Sequence, residues 1–401
     1  MLKPNGNMIR GAVNQGNQIN GAAVGGLLQE YDPSGNVVWE FTYSSSSVVA
    51  HHDIAMLPNG NVLMIAWEVK SSSDLQNAGY TGNGNQKYST HIIEVAQNGN
   101  GGQIVWEWHI WDHMVQNADQ SKPNFGVVSA HPELLNINVT TSGGGGGPGG
   151  GADWFHCNGI DYNDSLDQIV FSSRFLSEIF IIDHSTTTAE AAGHTGGNSG
   201  KGGDFLYRYG NPNNYGVAFG TRNISGPVHD PRWIPNDGRP NGGYIQFFNN
   251  DGVSGGGSEV NAIELPHNGF NYNITANSGY DPQSPTWTHN CLNNASGQSA
   301  SDRLPNGNTF VNLSGGYMYE VDSLNNTVWQ YAAGPAKAFR YGCDYDGITA
   351  LLGANPCGVV AIDDSDVEEI HLFPNPSTGV FRLAGIDMPL HDVSLTVYDA
   401  F

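Results

Sequence analysis

Five residues have side chains suited to a tetrahedral oxyanion: His52, His156, Asn158, Arg174 and His229. An arginine guanidinium is a planar fork of donors that matches sulfate or phosphate oxygens. A neutral imidazole can attack sulfur or phosphorus, and a second can supply or take the proton of a departing oxygen. Together they read as a group-transfer set. Three imidazoles can also bind zinc. Arg174 beside them opposes a cation, and the chain has no His-x-His or His-Glu-x-x-His spacing, so no metal is expected. It has no P-loop or dinucleotide glycine fingerprint either, so no nucleotide and no other cofactor is expected.

A lone histidine at a strand start is ordinarily a packing or surface residue. Here three recur at repeat positions. His52 precedes DIAMLPNGN, His229 precedes DPRWIPNDG in the same register, and His156 opens HCNGIDY. The doublet His51-His52 leaves a choice of one residue. His52 is taken because it aligns with His229, and a shift of one would flip the side chain to the other face of the strand.

The repeats supply the scaffold. One unit is an apolar residue, Pro-Asn-Gly-Asn and an apolar strand, as in LKPNGNMI at Leu2, LPNGNVLMIAW at Leu57 and LPNGNTFVNL at Leu304, with a degenerate copy at Ile234. Asn-Gly between apolar runs is a strong hairpin signal. The second unit reads LLQEYDPSGNVVWEF, HIIEVAQNGNGGQIVWEW and YMYEVDSLNNTVWQY: strand, acidic residue, turn, strand with Trp. Two such hairpins make one four-stranded propeller blade. Five blades are clear and there is room for a sixth. The expectation is an all-β, six-bladed β-propeller over residues 1–361, truncated at its N-terminus, with a first blade lacking its outer part. The first residues of the inner strands would line the channel and aim the histidines at one point. The glycine-rich stretches Ser142–Gly151 and Ala189–Gly203 read as tolerated insertions.

Composition agrees. The chain has 54 Gly, 20 Pro and only 13% charged residues, which suits short strands and many turns, while 10% aromatics argue against disorder. With 15 Lys+Arg against 38 Asp+Glu, the net charge is −23, which repels nucleic acid and anionic lipid. Oxyanion chemistry therefore needs a locally positive pocket. No apolar run is long enough to span a membrane. Four cysteines permit three pairings; Cys343 and Cys357, which close a short loop, are the expected pair, with four free thiols as the alternative.

From residue 362 the text changes to an acidic run, then FPNPSTGVFRLAG. This resembles the type-A sorting domain of the type IX secretion system, whose hallmark matches Pro374-Asn375-Pro376 followed by Gly379. The resemblance implies a partial sorting domain over 362–401, a truncated small β-sandwich, with the secretion machinery as partner and a secreted or cell-surface location.

HHDIAMLPNGNVL, DWFHCNGIDYN with Arg174 eighteen residues after His156, HDPRW before YIQFFNND, then SDRLPNGNTFVN and WEWHIWDHMVQ resemble bacterial arylsulfate sulfotransferases in order and spacing. That family resemblance covers roughly residues 1–340. It implies sulfuryl transfer from an aryl sulfate to a phenol without a nucleotide donor. His229 would be the covalent nucleophile; His52, His156, Asn158 and Arg174 would bind the sulfuryl oxygens and assist the leaving phenol. The strand after His229 departs, with Phe-Asn-Asn-Asp in place of Phe-Asp-Asn-Gly. The alternatives are a secreted non-catalytic propeller that binds glycans or surface partners, and a sulfate-ester hydrolase with water as acceptor. No Cys-x-Pro-x-Arg motif of a metal-dependent sulfatase occurs.

Overall fold

The computed structural model describes residues 1–141, 151–217, 220, 222–252, 256–275, 278–354 and 356, with the backbone of 371–373 and 382–384. Its strands form five antiparallel blades. Blade 1 is Met8–Val13, Gly26–Tyr31 and Val37–Thr42. Blade 2 is Val48–Met56, Val62–Ser71, Gln86–Asn98 and Gly101–His109. Blade 3 is Cys157–Asn163, Gln168–Ser173, Glu178–Asp183 and Tyr207–Tyr209. Blade 4 is Val228–Trp233, Ile245–Asn249, Glu259–Ile263 and Trp287–Asn290. Blade 5 is Ala300–Arg303, Thr309–Asn312, Met318–Val321 and Thr327–Tyr331.

Among the described residues the propeller thus has five blades, not the expected six. The described parts of the long connections that left room for another carry only short elements. The stretch after blade 2 has the 3-10 turn Ile110–His113 and a two-residue parallel ladder, Met114–Val115 with Leu135–Asn136. The stretch inside blade 4 has two more two-residue ladders. Blade 1 also differs from expectation: the strand it lacks is the innermost, not an outer one. Its Pro-Asn-Gly-Asn turn precedes Met8–Val13, the position held by Val62–Ser71 in blade 2. Where an inner strand would pair, only Met1 exchanges backbone hydrogen bonds with Ile9.

The repeated residues have identifiable work. In each Pro-Asn-Gly-Asn turn the glycine takes positive φ, as at Gly60 (+88°) and Gly307 (+87°), where a Cβ would be strained. The final Asn of the turn donates its amide to the acidic residue of the following unit: Asn61 to Glu94 at 2.5 Å, Asn308 to Glu320 at 2.6 Å. The repeated tryptophans pin neighbouring blades. Trp39 Nε1 reaches the Gly101 carbonyl at 2.8 Å, and Trp108 Nε1 the Gly203 carbonyl at 2.7 Å. Apolar cores fill the spaces between successive blades, the largest between blades 2 and 3 around Trp108, Phe155, Phe171, Phe180 and Phe205.

An aspartate after the site position on each inner strand clamps the next blade. Asp53 accepts from Ile160 N–H at 3.2 Å, Asp161 from Trp233 N–H at 2.9 Å, and Asp230 from Ser301 N–H at 3.0 Å. Lys337 then joins Asp53 (2.7 Å) to Asp230 (2.8 Å). Burial pushes the Asp161 carboxyl up to about 6, with Arg232 opposing.

The chain divides into two compact units, one of Met1 and Met8–Arg340, the other of Leu2–Asn7 and the chain from Tyr341. The expected boundary at 361/362, the 142–150 stretch, the Pro374-Asn375-Pro376 motif and Cys357 lie outside the described residues. In the second unit His371–Phe373 pairs with Arg382–Ala384. Cys343 is disulfide-bonded, whereas Cys157 and Cys291 are free thiols. No helix among the described residues is long and apolar enough to cross a membrane.

Candidate functional site

The inner strands of blades 2, 3 and 4 each break register where a candidate residue sits. The ladder skips between Ala50 and Ile54, between Cys157 and Gly159, and between His229 and Arg232. A bulge re-aims side chains that a regular strand would alternate between faces. Backbone strain collects there. Of the ten described non-glycine residues with positive φ, five are His52 (55°), His156 (54°), Asp230 (51°), Gln298 (54°) and Ser299 (84°). Such strain persists only where surrounding structure enforces it, and it concentrates at functional sites.

The imidazoles of His52 and His156 meet edge-to-face with centroids 4.5 Å apart. His51 stacks on Trp67 at 3.9 Å and contacts the His52 Nδ1 at 2.6 Å, so His52 is the member of the doublet that faces His156. His156 is anchored by Asp153, whose Oδ2 lies 2.5 Å from Nδ1 and whose Oδ1 accepts the His156 backbone N–H at 3.1 Å. Arg174 follows the second strand of blade 3, and its N–H donates to the His156 carbonyl at 3.0 Å. Its guanidinium lies near the Phe175 ring and makes no ion pair among the described residues. Its charge reaches both His52 and His229.

His229 is buried with both ring nitrogens engaged. Nδ1–H donates to Asn250 Oδ1 at 2.6 Å, and Nε2 accepts the Gln298 backbone N–H at 3.1 Å. These partners fix the tautomer with its lone pair on Nε2. Burial pulls the imidazole down to about 4; the Asn250 bond works against this, while Arg174 and His156 add to it. His52 is pulled well below the usual histidine range by burial, then by His51, His156, His229 and Arg174. Both are neutral at pH 7.

Asn158 stands elsewhere in the logic. Its Nδ2 donates to the Val228 carbonyl at 2.7 Å and its Oδ1 accepts from Ser172 at 2.6 Å. It ties blade 3 to the residue before His229. The adjacent Gly159 allows this approach: a Cβ there would lie 2.5 Å from Pro231 Cδ. Thus His52, His156, Arg174 and His229 come within electrostatic reach of one another, and Asn158 braces the strand between them.

Sequence reasoning missed Asp153, Asn250, Gln298 and Lys337. Asp153 had a signal, three residues before His156 in DWFH. Asn250 sits in the Phe-Asn-Asn-Asp departure, and its amide orients the His229 ring, which burial keeps uncharged. Gln298 acts through its backbone, which no side-chain pattern reveals. Three imidazoles could ligate a metal, but the Arg174 charge disfavours a cation among them.

Several solved structures are distantly similar to the chain. BamB from Moraxella catarrhalis is 10% identical with TM-score 0.31, covering 84% of this chain and 69% of that one. A Lactobacillus plantarum protein is 7% identical with TM-score 0.38, covering 82% and 68%. The Cps50 (Swd1) β-propeller domain of Myceliophteria thermophila is 8% identical with TM-score 0.35, covering 82% and 87%. No curated protein matches significantly. The arylsulfotransferase (ASST) family model matches residues 5–337, which span the blades and every residue of the site, and the chain belongs to that family.

Proposed function

We propose that the chain moves a sulfuryl group from an aryl sulfate ester to a phenolic acceptor through a covalent intermediate on His229 Nε2. The observation that carries this reading is Arg174: a guanidinium that makes no ion pair among the described residues and whose charge reaches His52 and His229, in a chain of net charge −23. Such a group is placed to hold a sulfate oxyanion.

In the first half-reaction the Nε2 lone pair forms an N–S bond as the S–O bond to the aryl group breaks. The Gln298 N–H must turn from the lone pair toward an incoming sulfuryl oxygen. Asp153 holds the His156 ring at Nδ1, which leaves His156 Nε2 to give a proton to the departing phenolate and later take one from the acceptor phenol. Arg174 and the N–H donors hold the equatorial oxygens, each worth roughly 3 kcal/mol in the transition state. Asn250 leaves the sulfated ring without a carboxylate partner, which keeps the sulfuryl group easy to pass on. A cavity of about 240 Å³, lined by Gly11, Val13, Ala23, Val24, Leu27 and His52, suits the aryl ring; roughly 150 Å³ accommodates benzene.

The test is chromogenic aryl sulfate mixed with enzyme and no acceptor. One phenol per chain should be released in a burst, with a sulfuryl adduct on His229 by mass spectrometry, and added phenol should restore turnover with ping-pong kinetics. Tight donor binding with neither burst nor adduct supports the non-catalytic binding propeller. Continuous release without acceptor supports the hydrolase. We further read the Pro374-Asn375-Pro376 tail as an address for type IX export to the cell surface.

A further inference from the structure

The insertion between the last two strands of blade 3 gathers three ligand-type side chains that the site above does not use. His113 ends the 3-10 turn after blade 2, while His194 and Asp204 belong to the insertion. Asp204 Oδ1 lies 2.8 Å from His113 Nδ1 and 2.7 Å from His194 Nδ1. One ligand atom from each residue lies within 4.8 Å of the others. His113 is fully buried and stacks on Trp108 at 5.7 Å, whereas His194 is exposed. The other His113 nitrogen, Nε2, is 2.8 Å from the Ala191 carbonyl.

As hydrogen bonds alone, these contacts ask the buried His113 ring to donate from both nitrogens, and ask a single carboxylate oxygen to accept from two imidazoles. A metal ion resolves both demands. Nε2–H donating to a backbone carbonyl is the outer-shell contact that metal-bound histidines make, and it leaves the Nδ1 lone pair free to ligate.

We propose that His113 Nδ1, His194 Nδ1 and Asp204 Oδ1 form a site for one divalent transition-metal ion, with zinc the best match. Two imidazoles and a carboxylate select that class over calcium or magnesium, which prefer all-oxygen shells. Tetrahedral bonds of roughly 2.0–2.1 Å set ligand atoms about 3.3 Å apart, so the group needs to open by only about 0.5 Å. Exposed His194 leaves the fourth position to water. The ion fastens the 188–204 insertion, including the short helix Thr188–Ala191, to the turn after blade 2. The site was invisible in sequence because its ligands lie at 113, 194 and 204 with no motif spacing.

The full chain, stripped with a chelator, should be titrated with Zn²⁺ against a chromophoric zinc indicator, and with Co²⁺ read by its visible ligand-field bands. One ion per chain should bind, and Ca²⁺ and Mg²⁺ should not compete. His194→Ala removes an exposed ligand without disturbing the core. It should weaken Zn²⁺ binding by more than about 100-fold, beyond the 10–100-fold of an outer-shell loss. Asp204→Asn should do the same, and Zn²⁺ should raise the melting temperature of the parent chain but not of His194→Ala. No stoichiometric binding to the parent chain, or unchanged affinity in His194→Ala, overturns the proposal.

Discussion

His229, buried, and His184, half-buried, both have their two ring nitrogens engaged, yet the protein keeps the first neutral and the second cationic. Burial draws His229 down to about 4, with Arg174 adding to it, because its contacts are a neutral amide and a backbone N–H and no carboxylate. His184 meets Asp167 at 2.7 Å and Glu94 at 3.0 Å. Burial opposes its charge, but the two carboxylates outweigh that and raise it to about 9. Glu94 also holds the blade 2 turn through Asn61, so His184 is a cationic rivet between blades. Partners, not burial, decide which histidine is a base and which is a brace.

The widest separation is expected when each ring is removed. His229→Asn should abolish the phenol burst and adduct and cut turnover by about 1000-fold or more. His184→Asn should keep the burst and turnover within about threefold while costing roughly 2 kcal/mol of stability, because it leaves two carboxylates without their cation. Equal losses of activity in both variants would erase the distinction.

Within the site, Arg174→Lys keeps the charge and removes the fork. Turnover should fall about 100-fold, with donor binding weakened. Asp153→Asn is expected to lower turnover about 10–100-fold through His156. Asp153 is a positioning residue, and its signature is leaving-group dependence. The loss should be large for a phenol of high pKa and small for a nitrophenol, which departs without a proton. A uniform loss across leaving groups would make Asp153 merely structural.

The repeat fixed much of this in advance. The Pro-Asn-Gly-Asn turns, the acidic residue that follows and the Trp strands are local patterns, and they locate the blades. The three histidines were legible because they recur in register with those turns. Blade number was not, because insertion length alone cannot distinguish a four-stranded sheet from loops with two-residue ladders. The family resemblance implies a substrate contact for Asn158, whereas its amide is engaged with Val228 and Ser172. Gln298 and Lys337 are brought in from the far end of the chain, by a backbone donor and by closure of the Asp53–Asp230 pair.

The two histidines should also pull stability against pH in opposite senses. His229 has a folded value near 4, below the 6.5 of an unconstrained ring. Between those values the unfolded chain holds a proton that the folded one lacks. Stability is therefore lost as pH falls from about 6.5 toward 4, by up to about 3 kcal/mol from this group. His51, His52, His91 and His289 are also depressed by burial and add to the same acid slope. His184 has a folded value near 9, above 6.5. Its contribution is complete below 6.5 and disappears as pH rises through 9, again by up to about 3 kcal/mol. Urea midpoints measured from pH 4 to 10 should peak near neutrality. His184→Asn should make the alkaline side shallower, with His109 still raised by Glu68, and leave the acid side intact. His229→Asn should make the acid side shallower without levelling it, since four depressed histidines remain. If His184→Asn keeps the full alkaline slope, the carboxylate pair is not what holds that ring's proton, and the contrast with His229 fails.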